Sequence, residues 1–263
     1  MSARVVVSSE DGVADVRLSR PEKLNALDGA MFEALIETGR SLARDPSLRA
    51  VVLSGEGRAF CAGLDFPSFQ GGESVIDLFE HNEESPANVA QRAPWVWTEL
   101  PVPVIAAVHG YAFGGGLQIA LGADVRLVAP DAQLSVMEVR WGLVPDMAGT
   151  QLLRRLVRVD VAKELTYTGR RVSGREALEL GLATRVAEDP RAEALDLARE
   201  IARQSPDAIR AGKRLLDASG RVGVEEGLRL EEQAQRRLLG SPNQIEAVTA
   251  NFERRPPRFR DPG

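Results

Sequence analysis

The chain has 263 residues but only one cysteine, Cys61, and two histidines, His81 and His109. A single cysteine excludes an intramolecular disulfide and fits a reducing compartment. Two histidines and one cysteine cannot build a common structural zinc site, so no metal is expected. There is no excess of positive charge. The formal net charge is −5, which gives no general attraction to nucleic acid or an anionic membrane. No apolar run approaches the roughly 20 residues that span a bilayer. The first residues lack the charged start, apolar stretch and cleavage site of a signal peptide. A cytoplasmic enzyme or binding protein is therefore expected. Several familiar chemistries are also missing. There is no glycine-rich loop ending in Gly-Lys-Ser/Thr, no G-x-G-x-x-G fingerprint and no serine on a G-x-S-x-G turn. His109 ends a strand just before Gly110 and reads as structural.

What is present is ordinary in bulk. Apolar residues make up 44% and charged residues 27%, as in soluble globular proteins. The length suits one large domain, or one domain with a small extension. Residues 5–8 and 13–18 read as strands around the Asp11-Gly12 turn. Asp28 reads as the N-cap of a helix to about Ala43, with Met31, Leu35, Ile36 and Leu42 near helical spacing. Buried strands are predicted at 50–54, 104–108 and 125–128, and a further strand at 133–136. One or two helices are expected between 74 and 100. Beyond Gly149 the pattern is helical, with a short strand near 184–186 as its main exception. Strands and helices alternate over the first two thirds, which predicts an α/β core with a helical C-terminal region.

The most informative segment is Gly114-Gly115-Gly116-Leu117-Gln118-Ile119. It follows a strand and opens a helix. Successive glycines allow a sharp turn and close approach of another atom. Free N–H groups at a helix start favour negative charge. A second glycine-bearing segment, Ala62-Gly63-Leu64-Asp65, follows the strand at 50–54. Both lie beyond strands of what should be one parallel sheet, at the edge where such sheets bind ligands. Two backbone donors from separate loops are what an oxyanion site requires.

These segments resemble the oxyanion-hole motifs of the crotonase superfamily, the enoyl-CoA hydratase/isomerase family. The likeness runs through Leu18-Ser19-Arg20-Pro21-Glu22-Lys23-Leu24-Asn25-Ala26-Leu27 and Gly57-Arg58-Ala59-Phe60-Cys61-Ala62-Gly63-Leu64-Asp65. It continues in residues 103–116 and Gly149-Thr150-Gln151, and it ends in residues 252–259. The resemblance implies a spiral of repeated ββα units over residues 1–190, carrying the acyl-CoA site. It also implies a helical trimerisation region over 191–263, giving a homotrimer or a dimer of trimers. The substrate would be a coenzyme A thioester, with no separate cofactor. Its enolate would be held by the N–H groups of Leu64 and Gly115. Lys23, Asn25, Ala26, Leu27, Ala62, Gly63, Asp65 and Gly114 would line the coenzyme A side. Residues 66–100 would form the acyl pocket, with Phe66, Phe69, Val75, Ile76, Leu78, Phe79, Trp95 and Trp97 as candidates. Gly71-Gly72 would give that region local mobility.

The carboxylates discriminate between reactions. Hydratases of the family use two glutamates, and this chain has Gln118 and Glu138 at those positions. Glutamine cannot exchange a proton as a general acid or base. Asp146 follows Glu138 by eight positions, a partial likeness to the dienoyl-CoA isomerases. Asp146 also precedes a helix, so N-capping is an alternative role. The catalytic candidates are therefore Glu138, Asp146 and Gln118. A double-bond isomerase in fatty-acid or related acyl-CoA metabolism is the leading expectation. A hydratase, with Gln118 positioning water, and a non-catalytic acyl-CoA-binding scaffold remain as alternatives.

Overall fold

The computed structural model describes residues 3–69, 77–81 and 85–262. Its first strands, β1 (Val5–Glu10) and β2 (Val13–Leu18), form the hairpin set by Asp11-Gly12. Helix α1 (Gly29–Ala43) starts where Asp28 accepts the Met31 N–H at 2.9 Å. Next come β3 (Ala50–Gly55), α2 (Val89–Glu99), β4 (Val104–Val108), β5 (Tyr111–Phe113) and α3 (Gly115–Leu121). They are followed by β6 (Val125–Val128), β7 (Gln133–Ser135), α4 (Gly149–Leu156) and α5 (Val159–Thr168). The remaining elements are β8 (Val172–Ser173), α6 (Gly174–Leu180), β9 (Arg185–Val186), α7 (Pro190–Ala202), α8 (Pro206–Ser219), α9 (Val224–Leu238) and α10 (Pro242–Glu253).

The six-stranded sheet has the order β1-β2-β3-β4-β6-β9 and is parallel from β2 onward. A smaller sheet, β5-β7-β8, lies beside it. Cys61 bridges in parallel to Ala112 of β5, and Leu27 bridges in parallel to Leu64. These single pairs reveal the repeat. A strand of the large sheet leads to an extended residue in the second layer and then to a helix. The turns of the spiral are β2–Leu27–α1, β3–Cys61–α2, β4–β5–α3 and β6–β7–α4.

Strands β3 and β4 are buried along their whole length, as parallel strands covered on both faces are. Their side chains alternate between two cores. Val51, Leu53, Val104, Ala106 and Val108 join the larger core with α1 and α2. Ala50, Val52, Ile105 and Ala107 face Ala194 and Ala198 of α7. A boundary at residue 190 therefore falls at the first turn of a helix that covers the sheet. The helical tract from Gly149 is also broken at Val157 and Arg158, between α4 and α5.

Candidate active site

The second glycine segment is fixed on both sides by backbone pairing. Leu27 N–H donates to Gly63 O at 2.8 Å, and Asp65 N–H donates to Leu27 O at 3.0 Å. On the other side Cys61 N–H donates to Tyr111 O at 2.9 Å, and Phe113 N–H donates to Cys61 O at 3.1 Å. Gly63 has φ +92°, and a Cβ there would lie 2.7 Å from Phe113 O. Only glycine fits such a left-handed, crowded position. At Gly116 a Cβ would lie 2.2 Å from Cys61 O, so α3 can approach this segment only without a side chain. The two glycine motifs are thus docked on each other. The N–H groups of Leu64 and Gly115 enter none of the hydrogen bonds among the described residues. Both residues line one cavity of about 180 Å³.

The same cavity is lined by Ala62, Gly63, Gly114, Gln118, Glu138 and Asp146. With Leu64 and Gly115, eight of the expected site residues line this cavity; Lys23, Asn25, Ala26, Leu27 and Asp65 do not. Lys23 is exposed and does not line the cavity. Leu27 is fully buried, and its Cδ1 lies 2.9 Å from where a Gly115 Cβ would be. Ala26 gives its carbonyl to Arg20 Nη1 at 3.1 Å. Asn25 is fully buried at φ +56°. Its Oδ1 accepts the Arg20 N–H at 2.8 Å, and its Nδ2 donates to the carbonyls of Glu56, Ala59 and Phe60. Asp65 accepts from Arg20 Nη1 at 2.7 Å and from Ser68 Oγ at 2.9 Å. Burial pushes its pKa upward, but the bonds from Arg20 and Ser68 and the nearby positive charges outweigh that, leaving it lowered. The side chains of Asn25 and Asp65 are therefore committed to holding the loop. They are not free for a ligand.

Glu138 opens a 3-10 turn, Glu138–Trp141. Its Oε1 accepts from Gln118 Nε2 at 2.5 Å. Its Oε2 is buried with no hydrogen-bond partner among the described residues. Burial raises the Glu138 pKa and the charge of Asp146 adds to the rise, while hydrogen bonds from backbone and Gln118 oppose it. Gln118 is held in turn from the loop before α4. Its Oε1 accepts from Met147 N at 2.9 Å and Gly149 N at 2.8 Å. The N-cap of α4 is Ala148, and no side chain caps this helix. The capping role considered for Asp146 is therefore absent. Gln118, from 31 residues away, ties down the N–H of the first residue of α4 instead. Asp146 lies on the cavity wall, and partial burial raises its pKa. The residue as a whole is exposed, so water limits that rise.

Of the acyl-pocket candidates, Phe66 and Leu78 line the cavity. Trp97 is fully buried in the main core. Trp95 packs beside that core, with the guanidinium groups of Arg155 and Arg221 over its ring. Phe79 is exposed. Val75, Ile76, Gly71 and Gly72 lie outside the described residues, as does the side chain of Phe69. The sequence reading missed Met137, Trp141, Leu143 and Met147, which also line the cavity. Trp141 packs on Phe66 with ring centroids 4.7 Å apart. The proximity of these residues to Glu138 and Asp146 in the chain was the available signal. His109 contacts Gly57 O at 3.0 Å away from the cavity, consistent with a structural role. Among the described residues no group of histidine, cysteine or acidic side chains is arranged to hold a metal ion.

Residues 8–262 match the family model described as enoyl-CoA hydratase/isomerase. The chain belongs to the enoyl-CoA hydratase/isomerase family. It is 34% identical to human enoyl-CoA hydratase domain-containing protein 2, mitochondrial, over 98% of this chain and 89% of that protein. It is 32% identical to mouse methylglutaconyl-CoA hydratase, mitochondrial, over 95% of this chain and 80% of that protein. The crystal structure of an enoyl-CoA hydratase from Bacillus anthracis superposes with a TM-score of 0.89 at 32% identity, covering 98% of this chain and all of that one. The mixed α/β spiral is the crotonase fold of this family.

Proposed function

We propose that the protein shifts double bonds in acyl-CoA thioesters. The observation that carries this reading is the set of side chains at the cavity. Among the described residues that line it, only Glu138 and Asp146 can exchange a proton. The third polar side chain, Gln118, is an amide with its oxygen committed to two backbone N–H groups. The thioester oxygen would accept from Leu64 and Gly115. Losing one donor of such a pair typically costs about 3 kcal/mol of barrier. Glu138, whose pKa burial raises above the ordinary glutamate value, as suits a general base, takes a proton from the carbon chain. The C–H electron pair enters the enolate. A proton returned by Glu138 to a different carbon moves the double bond with no net change in atoms. Where a protonated Asp146 delivers it to a more distant carbon instead, Glu138 keeps the first proton, and exchange with water at the exposed Asp146 resets the two carboxyls.

The test uses purified protein with 2-enoyl-, 3-enoyl- and 3,5-dienoyl-CoA. A double-bond shift is expected, and Glu138→Gln should lower kcat by at least about 10²-fold. Asp146→Asn should impair the dienoyl shift more than the 3-enoyl shift. Fast hydration with no shift would overturn the reading. Hydration is the second reading, favoured by the names of the relatives. Fatty-acid or related acyl-CoA metabolism and a cytoplasmic setting belong to the same proposal.

Assembly is a further part of it. Leu216, Val224, Leu228, Leu239 and Phe252 of the C-terminal segment are all exposed by 60% or more. Side chains of this size in water favour burial against another surface. A homotrimer, or a dimer of trimers, supplies one.

A further inference from the structure

We propose that Gln118 is a positioning residue that leaves Oε2 of Glu138 as the only atom through which this carboxyl exchanges a proton with substrate. The inference rests on Glu138 being the base. It follows from the wiring of one buried amide. Two backbone N–H groups, from Met147 and Gly149, point at one end of the Gln118 side chain. N–H groups can only donate, so that end is the oxygen. The other end is then NH₂, and it must donate to Glu138 Oε1. An oxygen receiving a 2.5 Å hydrogen bond from an amide is held as an acceptor in both charge states of Glu138. When Glu138 is protonated, its proton sits on Oε2, the atom left without a partner.

The consequence for the reaction is specific. The substrate C–H bond breaks, its electron pair passes into the enolate, and the proton lands on Oε2. The same oxygen returns it to the new carbon. No proton crosses to Oε1, because the Gln118 N–H occupies that side. Asp146, on the loop before α4, is the ionisable group whose charge acts on Glu138. Arg140 shares the turn of Glu138, and α5, which packs against that turn, carries Asp160, Lys163 and Glu164; Gln118 and Met147, beside Glu138 at the cavity, are neutral.

Gln118→Glu tests this directly. One oxygen of the new carboxylate can still accept from Met147 and Gly149. The other is brought against Glu138 Oε1. Two carboxylates this close hold one proton between them and titrate in two steps. The singly protonated pair mimics the amide N–H and should be active. In the unmodified enzyme kcat/KM is expected to rise with pH through one ionisation. In the variant it should peak within about tenfold of that plateau and then fall about tenfold per pH unit once the pair loses its last proton. An unchanged rising limb with no fall would overturn the proposal and leave Gln118 as a mere tie on α4. A second measurement needs no variant at this site. The acid-form carbonyl stretch of Glu138, assigned by its loss in Glu138→Gln, should lie in the hydrogen-bonded range. A free-carbonyl position would overturn the proposal. If the enzyme hydrates and does not isomerise, the reaction proposed above fails, yet the pH profile of that hydration still decides the role of Gln118.

Discussion

The proposed base, Glu138, carries a cost to the fold. Burial in the cavity wall, with Asp146 nearby, raises its pKa above the ordinary glutamate range. The folded protein thus holds this proton more tightly than the unfolded chain. The stability it contributes is full below the ordinary glutamate range and is lost as pH climbs through the raised native value. Glu138→Gln removes the charge and not the shape. Its Tm should match or fall below that of the parent near pH 4 and exceed it near pH 8, as expected when an active site trades stability for function. Thermal melts at the two pH values check this, and a difference independent of pH would refute it. At this scale the sequence showed which polar side chains meet at the cavity but not how they are wired. Glutamine at position 118 was legible as a lost acid. Its bonds to Met147 and Gly149 were not, because they join segments that only the spiral brings together.

Elements carry the site through short pairings. Asn25 links the loop before α1 to the loop after β3 with three hydrogen bonds and ties its own loop with a fourth, from Arg20 N–H, all buried or partly buried. Asn25→Ala would strand a backbone N–H and remove the donor shared by three carbonyls. The expected loss is about 2–4 kcal/mol, read as a lower urea midpoint with an unchanged m-value. A loss under about 0.5 kcal/mol would mean that the loop is held elsewhere. The long elements were legible because each carries a local signal: Asp11-Gly12 for the hairpin, Asp28 for α1, apolar runs for β3 and β4. The second sheet was harder to see. Strand β5 has three residues and β8 has two, too few to display a period. The break between α4 and α5 has no glycine or proline to mark it. Asp146 illustrates the opposite case: an acid before a helix invites a capping role, but the Gly149 N–H at the start of α4 is bonded to Gln118 instead.

At the scale of the whole molecule, the helical last third has two duties. Helix α7 seals one face of the sheet through Ala194 and Ala198, and small residues let it lie close. Helices α8, α9 and α10 leave large apolar side chains in water. Light scattering at micromolar concentration is expected to give the mass of a trimer or hexamer, and Leu228→Asp with Phe252→Asp should shift it downward. A monomer for the unmodified chain would contradict the assembly proposed above. Alternating strands and helices made the α/β class legible, whereas the partition of the helices between sheet and surface depends on contacts far apart in the chain. One feature reaches across all three scales. The segment holding Leu64 is laced between Leu27 and strand β5, so the gap between its N–H and that of Gly115 is set by backbone ladders and not by any side chain. The proposed hole is therefore a fixed datum. Changes in chain length, double-bond position or reaction type must be written in the walls around it, where a side chain can be exchanged without moving the point from which the thioester is measured.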